Sequence, residues 1–259
     1  MTTTAPTRAT NTGALVDRGQ ALSLGKTLRA ESRKGHNTRS GKILLVLTVL
    51  GSVAFAGGRM LVPATDTDFG RLASMGVGSV GTLVAIVMAL LVSAEFSVPT
   101  APLTFTADPS RRRVITAKFL VAAGYAAGFS VMGLLIGAAA TALAPLATTH
   151  HVPWTADWAQ LASIAFGNVF MAWTGVALAL AFRNAPGPLV VILLWPTLAL
   201  LASRVSDQVA EALAYVDLPP IDAVDALATH GPAQIFVSTI FWIVLPAAYG
   251  INRLLRSDI

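Results

Sequence analysis

Long apolar runs alternate with short polar breaks along this chain. Six runs stand out: Ile43 to Val62, Met75 to Val98, Val114 to Ala144, Trp158 to Phe182, Pro188 to Ala202, and Ala233 to Leu254. At ~1.5 Å rise per residue, a helix of about twenty residues reaches across the ~30 Å hydrocarbon core of a bilayer. The pattern predicts an all-α membrane protein with six transmembrane helices. The third run is long enough that it is expected to tilt or to project past one face. The fifth is at the short end of what can span.

The polar segments differ among themselves. Residues 1–20 are Thr-rich, lack periodicity and read as a disordered tail; with no apolar signal core there, the first run is expected to act as the targeting signal. Residues 21–42 carry six Lys or Arg among sparse apolar positions. They predict a basic interfacial helix, with Leu22, Leu24 and Leu28 toward lipid and the cations toward anionic headgroups, the alternative being more flexible tail. Residues 43–259 then form the six-helix transmembrane domain. Residues 203–232 hold Asp207, Glu211, Asp217, Asp222 and Asp225, with Val209, Leu213 and Val216 at helical spacing. This pattern predicts two short amphipathic helices broken at Pro219-Pro220, lying at the membrane boundary or dipping into it, or else a plain surface loop.

Composition agrees with a membrane protein: 54% of residues are hydrophobic and 12% charged, against ~25% charged in soluble domains. The 18 Lys and Arg exceed the 13 Asp and Glu, a balance that in a soluble chain would raise nucleic acid as a partner. Here the excess reads as a topology signal, and no nucleic-acid partner is expected. With six spans both termini lie on one side. If that side is the cytoplasm, only Arg59, Arg71 and Arg204 of all the basic residues fall on outer segments. Such a bias predicts a multi-pass protein of the cell membrane with cytoplasmic N- and C-termini. The chain has no cysteine, which removes disulfides, thiolate metal sites and a Cys nucleophile.

Catalytic motifs are scarce. Gly19 to Thr27 resembles a phosphate-binding loop but has five residues between its glycines where four are needed, and no strand precedes it. Any ATP is expected to be bound by a partner. His150, His151, His230, Asp157, Asp222 and Asp225 share the predicted outer side at spacings that match no zinc signature, so neither metal nor cofactor is expected. HExxH and GxSxG are both absent. Within the spans, Glu95 sits near an inner end, where headgroups and Arg111, Arg112 and Arg113 would offset its desolvation. Asn168 is the clear mid-membrane amide; it suits a bond to a neighbouring helix or a place on a substrate path, as does the interruption at Pro196. Pro246 interrupts the sixth run. Gly124, Gly128, Gly133 and Gly137 make two small-residue steps on the third, suited to close helix packing.

One internal stretch combines a carboxylate, several prolines and an arginine triplet. Glu95-Phe96, Thr100, Pro109, Arg111, Arg113, Val114 and Lys118 resemble the run in type-2 ABC exporter permeases that ends the second membrane helix and enters the third. Leu28 to Glu31 with Lys34 and Arg39-Ser40 is similar to that family's basic entry helix. Leu178 to Asn184 is similar to its turn between the fourth and fifth spans, and Arg253 to Ile259 to its closing tail. The likeness covers residue 28 to the C-terminus. Two positions depart from it: Pro99 stands where Gly precedes Thr, and Ser32 where Trp or a similar residue follows the Glu.

The resemblance implies an export permease, itself without catalysis, that pairs with a second permease protomer, as homo- or heterodimer, and with cytoplasmic ABC ATPase subunits holding ATP and Mg. Residues from Pro99 to Arg113 would be a cytoplasmic coupling helix, and Glu95, Pro99, Thr100, Pro109, Arg111, Arg112, Arg113 and Lys118 its coupling residues. The apolar spans favour a hydrophobic or amphipathic cargo. A membrane scaffold or sensor tied to an ATPase is the alternative, followed by an intramembrane enzyme.

Overall fold

The structure, a computed structural model, describes residues 23–37, 39–61, 67–97, 111–147, 152–217 and 231–256. Every regular element among them is helical. In chain order these are α1 (Leu24–Asn37), α2 (Arg39–Leu61), α3 (Phe69–Gly78), α4 (Val80–Ser97), α5 (Arg111–Ala147), α6 (Trp158–Phe182), α7 (Pro186–Ser203), α8 (Asp207–Val216), α9 (Gly231–Thr239), a π-helical turn (Ile240–Val244) and α10 (Leu245–Arg256). Six helical stretches among the described residues are long and apolar enough to cross a membrane: Gly41–Met60, Phe69–Phe96, Arg112–Leu146, Trp158–Phe182, Pro186–Ser203 and Pro232–Leu254. The protein is a multi-pass membrane protein.

The second span starts at Phe69, earlier than the apolar run suggests, because Asp68 caps it: its carboxylate accepts from the Arg71 amide at 2.8 Å and from Thr155 Oγ1 at 2.9 Å. The span then breaks at Ser79, between α3 and α4. Asn168 of α6 meets this break. Its Nδ2 donates to Val77 O at 2.8 Å and to Ser130 Oγ of α5 at 2.9 Å, so one buried amide ties three helices and serves a carbonyl beside the interruption. At 37 residues, α5 is roughly 55 Å long and exceeds the membrane core, as its run predicts.

Packing makes α6 the axis of the bundle. Fifteen of its 25 residues are buried, against three of the 18 in α7, and α2 is exposed or half-buried along most of its length, which leaves α2 and α7 at the periphery. Val80, Val84, Met88 and Val92 of α4 interleave with Ala172, Val176, Ala179 and Leu180 of α6. With lipid as solvent, such contacts act through close fit and dispersion more than through the hydrophobic effect. The fit depends on small residues: a Cβ on Gly133 of α5 would lie 2.7 Å from the Gly76 carbonyl carbon of α3, and one on Gly137 2.5 Å from Ala73 Cα. Gly124 and Gly128 have nothing within 4 Å of such a Cβ. The two glycine steps on α5 therefore differ: the second packs on α3, and the first opens onto a cavity described below.

At one end of the bundle Phe69, Trp154 and Trp158 cluster, with ring centroids 5.5 and 5.9 Å from Phe69, and Asp157 caps α6 by accepting from the amides of Ala159 and Gln160. From this end α8 doubles back beside α7. The carbonyls of its last turn accept from Gln234 Nε2 (Ala214 O, 2.6 Å) and Trp242 Nε1 (Val216 O, 2.7 Å), and Asp217 O accepts from Ser238 Oγ at 2.9 Å. Trp195 Nε1 donates to the Asp217 carboxylate at 3.0 Å. Trp195 lies roughly 12 Å down α7 from Ser203, so α8 dips beside the spans and does not lie across their ends. Trp242 belongs to the π-helical turn, which ends just before Pro246. The second short helix expected after Pro219-Pro220 lies outside the described residues.

Candidate functional site

At the opposite end, α1, α4 and α5 converge on four charged side chains. Lys34 Nζ lies 2.6 Å from Glu31 Oε1 and 2.8 Å from Glu95 Oε1. Lys118 Nζ lies 2.9 Å from Glu31 Oε2 and 2.6 Å from the same Glu95 Oε1. Signs alternate around a closed ring in which each carboxylate meets both ammonium groups. The side chains of Lys118, Glu31 and Glu95 are only 4%, 8% and 12% exposed, and Lys34 is 37% exposed. Burial alone pulls the Lys34 ammonium toward neutrality. The attraction and hydrogen bonds of Glu95 and Glu31 outweigh it and raise the group above the ordinary lysine range.

Local sequence explains why each residue is present. Glu31 and Lys34 are three apart on α1 and pair on one helical face. Thr27 and Gly35 of the same helix are buried, and Gly35 rests against the Tyr125 ring of α5, where a Cβ would collide with the phenol oxygen. Tyr125 OH donates to Ser32 O at 3.1 Å, a second tie between α1 and α5. Trp173 Nε1 of α6 donates to Phe119 O at 2.9 Å, holding the helix turn after Lys118. Beside the ring, Met88, Leu91, Val92 and Val121 enclose about 20 Å³, room for about one water.

No protein-family model, curated protein or solved structure matches the chain.

The ring stands at the root of residues 98–110, since Glu95 is in the last turn before that segment and Lys118 two turns after it. Pro99, Thr100 and Pro109 themselves lie outside the described residues. Arg111 opens α5, Arg112 is exposed and Arg113 half-buried. The cations that meet Glu95 among the described residues are thus Lys34 and Lys118, where the sequence pointed to the arginine triplet. Lys118 faces inward from the buried side of α5, while Arg112 is turned out to solvent. Arg183, which ends α6 in a left-handed conformation (φ 56°), sets its guanidinium over the Phe96 ring at 5.8 Å. Ser93 Oγ donates to Asn184 O at 2.9 Å, so the α6–α7 turn is tied to the same end of α4.

The remaining candidates do not converge. Asn168 is buried among α3, α5 and α6, and Pro196 is exposed within a continuous α7. His150, His151, His230, Asp222 and Asp225 lie outside the described residues. Sequence reasoning named Glu95 and Lys118 as coupling residues but did not join them to Glu31 and Lys34. One signal was available: Glu31 is the only acid between Asp17 and Asp66, and Glu95 the only one between Asp68 and Asp108. A solitary carboxylate in basic or apolar sequence calls for a partner from elsewhere in the fold.

Chemically, four neutralising charges with short contacts form a clasp. Removing one partner of a buried ion pair typically costs ~3–5 kcal/mol, because the other charge is left uncompensated. The clasp makes the entry to α5, the exit of α4 and the whole of α1 one mechanical unit.

Proposed function

We propose that this chain is the membrane-spanning permease subunit of a type-2 ABC exporter, paired with a second permease protomer and driven by a separate cytoplasmic ATPase that binds ATP and Mg. The observation that carries the reading is the ring of Glu31, Lys34, Glu95 and Lys118. It joins the last turn before residues 98–110 and the second turn after them to α1, which is what a segment that receives force from a partner requires. The excess of Lys and Arg on the segments at this end supports a cytoplasmic side for it and for both termini. A partner drives a membrane bundle between states only by binding them with different affinity. With the helices on either side of that segment clamped to α1, such a difference becomes movement of all three.

The peripheral, largely exposed α2 and α7 suit contact with a second protomer, and the low charge of the spans suits a hydrophobic or amphipathic cargo moved out of the cytoplasm. The test is purification of the tagged chain from its own membranes, followed by assay of vanadate-sensitive, Mg-dependent ATP hydrolysis. The wild-type preparation is expected to carry that activity, and the double variant Arg111→Glu, Arg113→Glu to insert normally and lose it. Equal activity in the two preparations, or none in the wild type, overturns the reading.

A further inference from the structure

A cavity of about 1020 Å³ opens between α1, α2 and α5, at the upper end of the ~300–1,000 Å³ typical of ligand sites. Its walls are almost wholly apolar, and Val46, Leu50, Leu120 and Met132 both line it and are exposed, so it opens sideways from the bundle. Along α5 it runs from Leu120 to Met132, roughly 18 Å. That length is close to one leaflet of hydrocarbon, about half of a ~30 Å core. Its polar residues lie at one end, on α1: Arg29 and Ser32.

The charge at that end is one-sided. Glu31, the acid nearest Arg29 in sequence, is consumed by Lys34 and Lys118 in the ring, and Arg29 has no ion pair among the described residues. Lys26 and Arg33 on the same helix are exposed as well. The floor is formed by the first glycine step of α5: Gly124 and Gly128 line the cavity and nothing approaches their Cβ positions. A slot of one-leaflet length, apolar throughout, open to the side and headed by an arginine matches one class of molecule in shape and charge.

We infer that the groove between α1, α2 and α5 is a site for an anionic phospholipid of the surrounding bilayer, with one acyl chain along Gly124 and Gly128 and the phosphate on Arg29. The lipid lies behind Tyr125, whose other side faces the ionic ring. The inference rests on the shape and charge of the groove and stands whether or not the chain is a permease.

Gly128→Leu fills the slot from a position where an added Cβ meets nothing within 4 Å, and Arg29→Gln removes the headgroup contact alone. The full-length protein would be released from nanodiscs of mixed phosphatidylglycerol and phosphatidylcholine and its retained lipids counted by native mass spectrometry, with a melting curve for each variant. Wild type is expected to hold one phosphatidylglycerol per chain in preference to phosphatidylcholine. Gly128→Leu should lose it while melting no lower. Arg29→Gln should keep a lipid but bind phosphatidylglycerol about tenfold more weakly, the effect of one charge-assisted contact. Unchanged retention in Gly128→Leu, or unchanged headgroup preference in Arg29→Gln, overturns the inference. So does a change of oligomeric state in Gly128→Leu with lipid retention intact, which would assign the groove to a second copy of the chain.

Discussion

Lys118 is the most enclosed member of the ionic ring, and the consequences of changing it are the sharpest. Lys118→Met leaves Glu31 and Glu95 facing each other with only Lys34 between them, and is expected to destabilise by ~3–5 kcal/mol. Adding Glu95→Gln restores neutrality, leaving the Glu31–Lys34 pair intact, and should recover a large part of that loss. Melting temperatures of the two variants in mild detergent check this; a double variant no more stable than the single would mean that packing, not charge balance, holds the site. Lys34 gives a pH signature. Its folded pKa is raised, so its contribution is fully present below the unfolded value of ~10.4 and is lost only as pH rises through the higher folded value. The melting difference between wild type and Lys34→Gln should therefore stay constant from neutral pH up to that range and shrink above it.

At the scale of elements, α5 shows how identical sequence signals take different meanings from their neighbours. Gly124/Gly128 and Gly133/Gly137 have the same spacing, yet only the second step touches another helix. Gly133→Ala drives a methyl into the Gly76 backbone and is expected to cost ~1–3 kcal/mol. Gly128→Ala, with open space around it, should be neutral or gain up to ~1 kcal/mol from helix propensity. Thermal melts of the pair separate these outcomes, and equal effects would contradict the packing described.

The six spans were legible because crossing a bilayer demands length and apolarity that few other structures need, and Trp158 to Phe182 matches to the residue. The break at Ser79 was not, since Gly78 and Ser79 are ordinary in membrane helices and Asn168, which donates to the carbonyl beside the break, is 91 residues from Val77. The dip of α8 was legible only as one of several alternatives, for the donors that satisfy it come from Trp195, Gln234, Ser238 and Trp242. Glu95 and Lys118 were legible only as members of the set of coupling residues that the resemblance implies, with the arginine triplet as the expected partner of Glu95. Their closure into a ring with α1 depends on tertiary contacts that spacing along the chain does not encode.

For the whole molecule, the ring, the axial α6 and the peripheral α2 and α7 divide the bundle into a clasped end and a freer body. On the proposed function, ATP-driven movement of residues 98–110 reaches α1 through Glu95 and Lys118. With no native cysteine, two introduced ones report this without background. Spin labels at Lys26→Cys on α1 and Ala159→Cys on α6, both exposed positions, would measure the distance between the clasped end and the bundle axis. The measurement compares the ATPase-bound protein without nucleotide and trapped with vanadate. The account predicts a shift in that distance for the intact ring, and its loss in Lys118→Met, Glu95→Gln with the ATPase still bound. An equal shift in both would contradict the ring as the path of coupling.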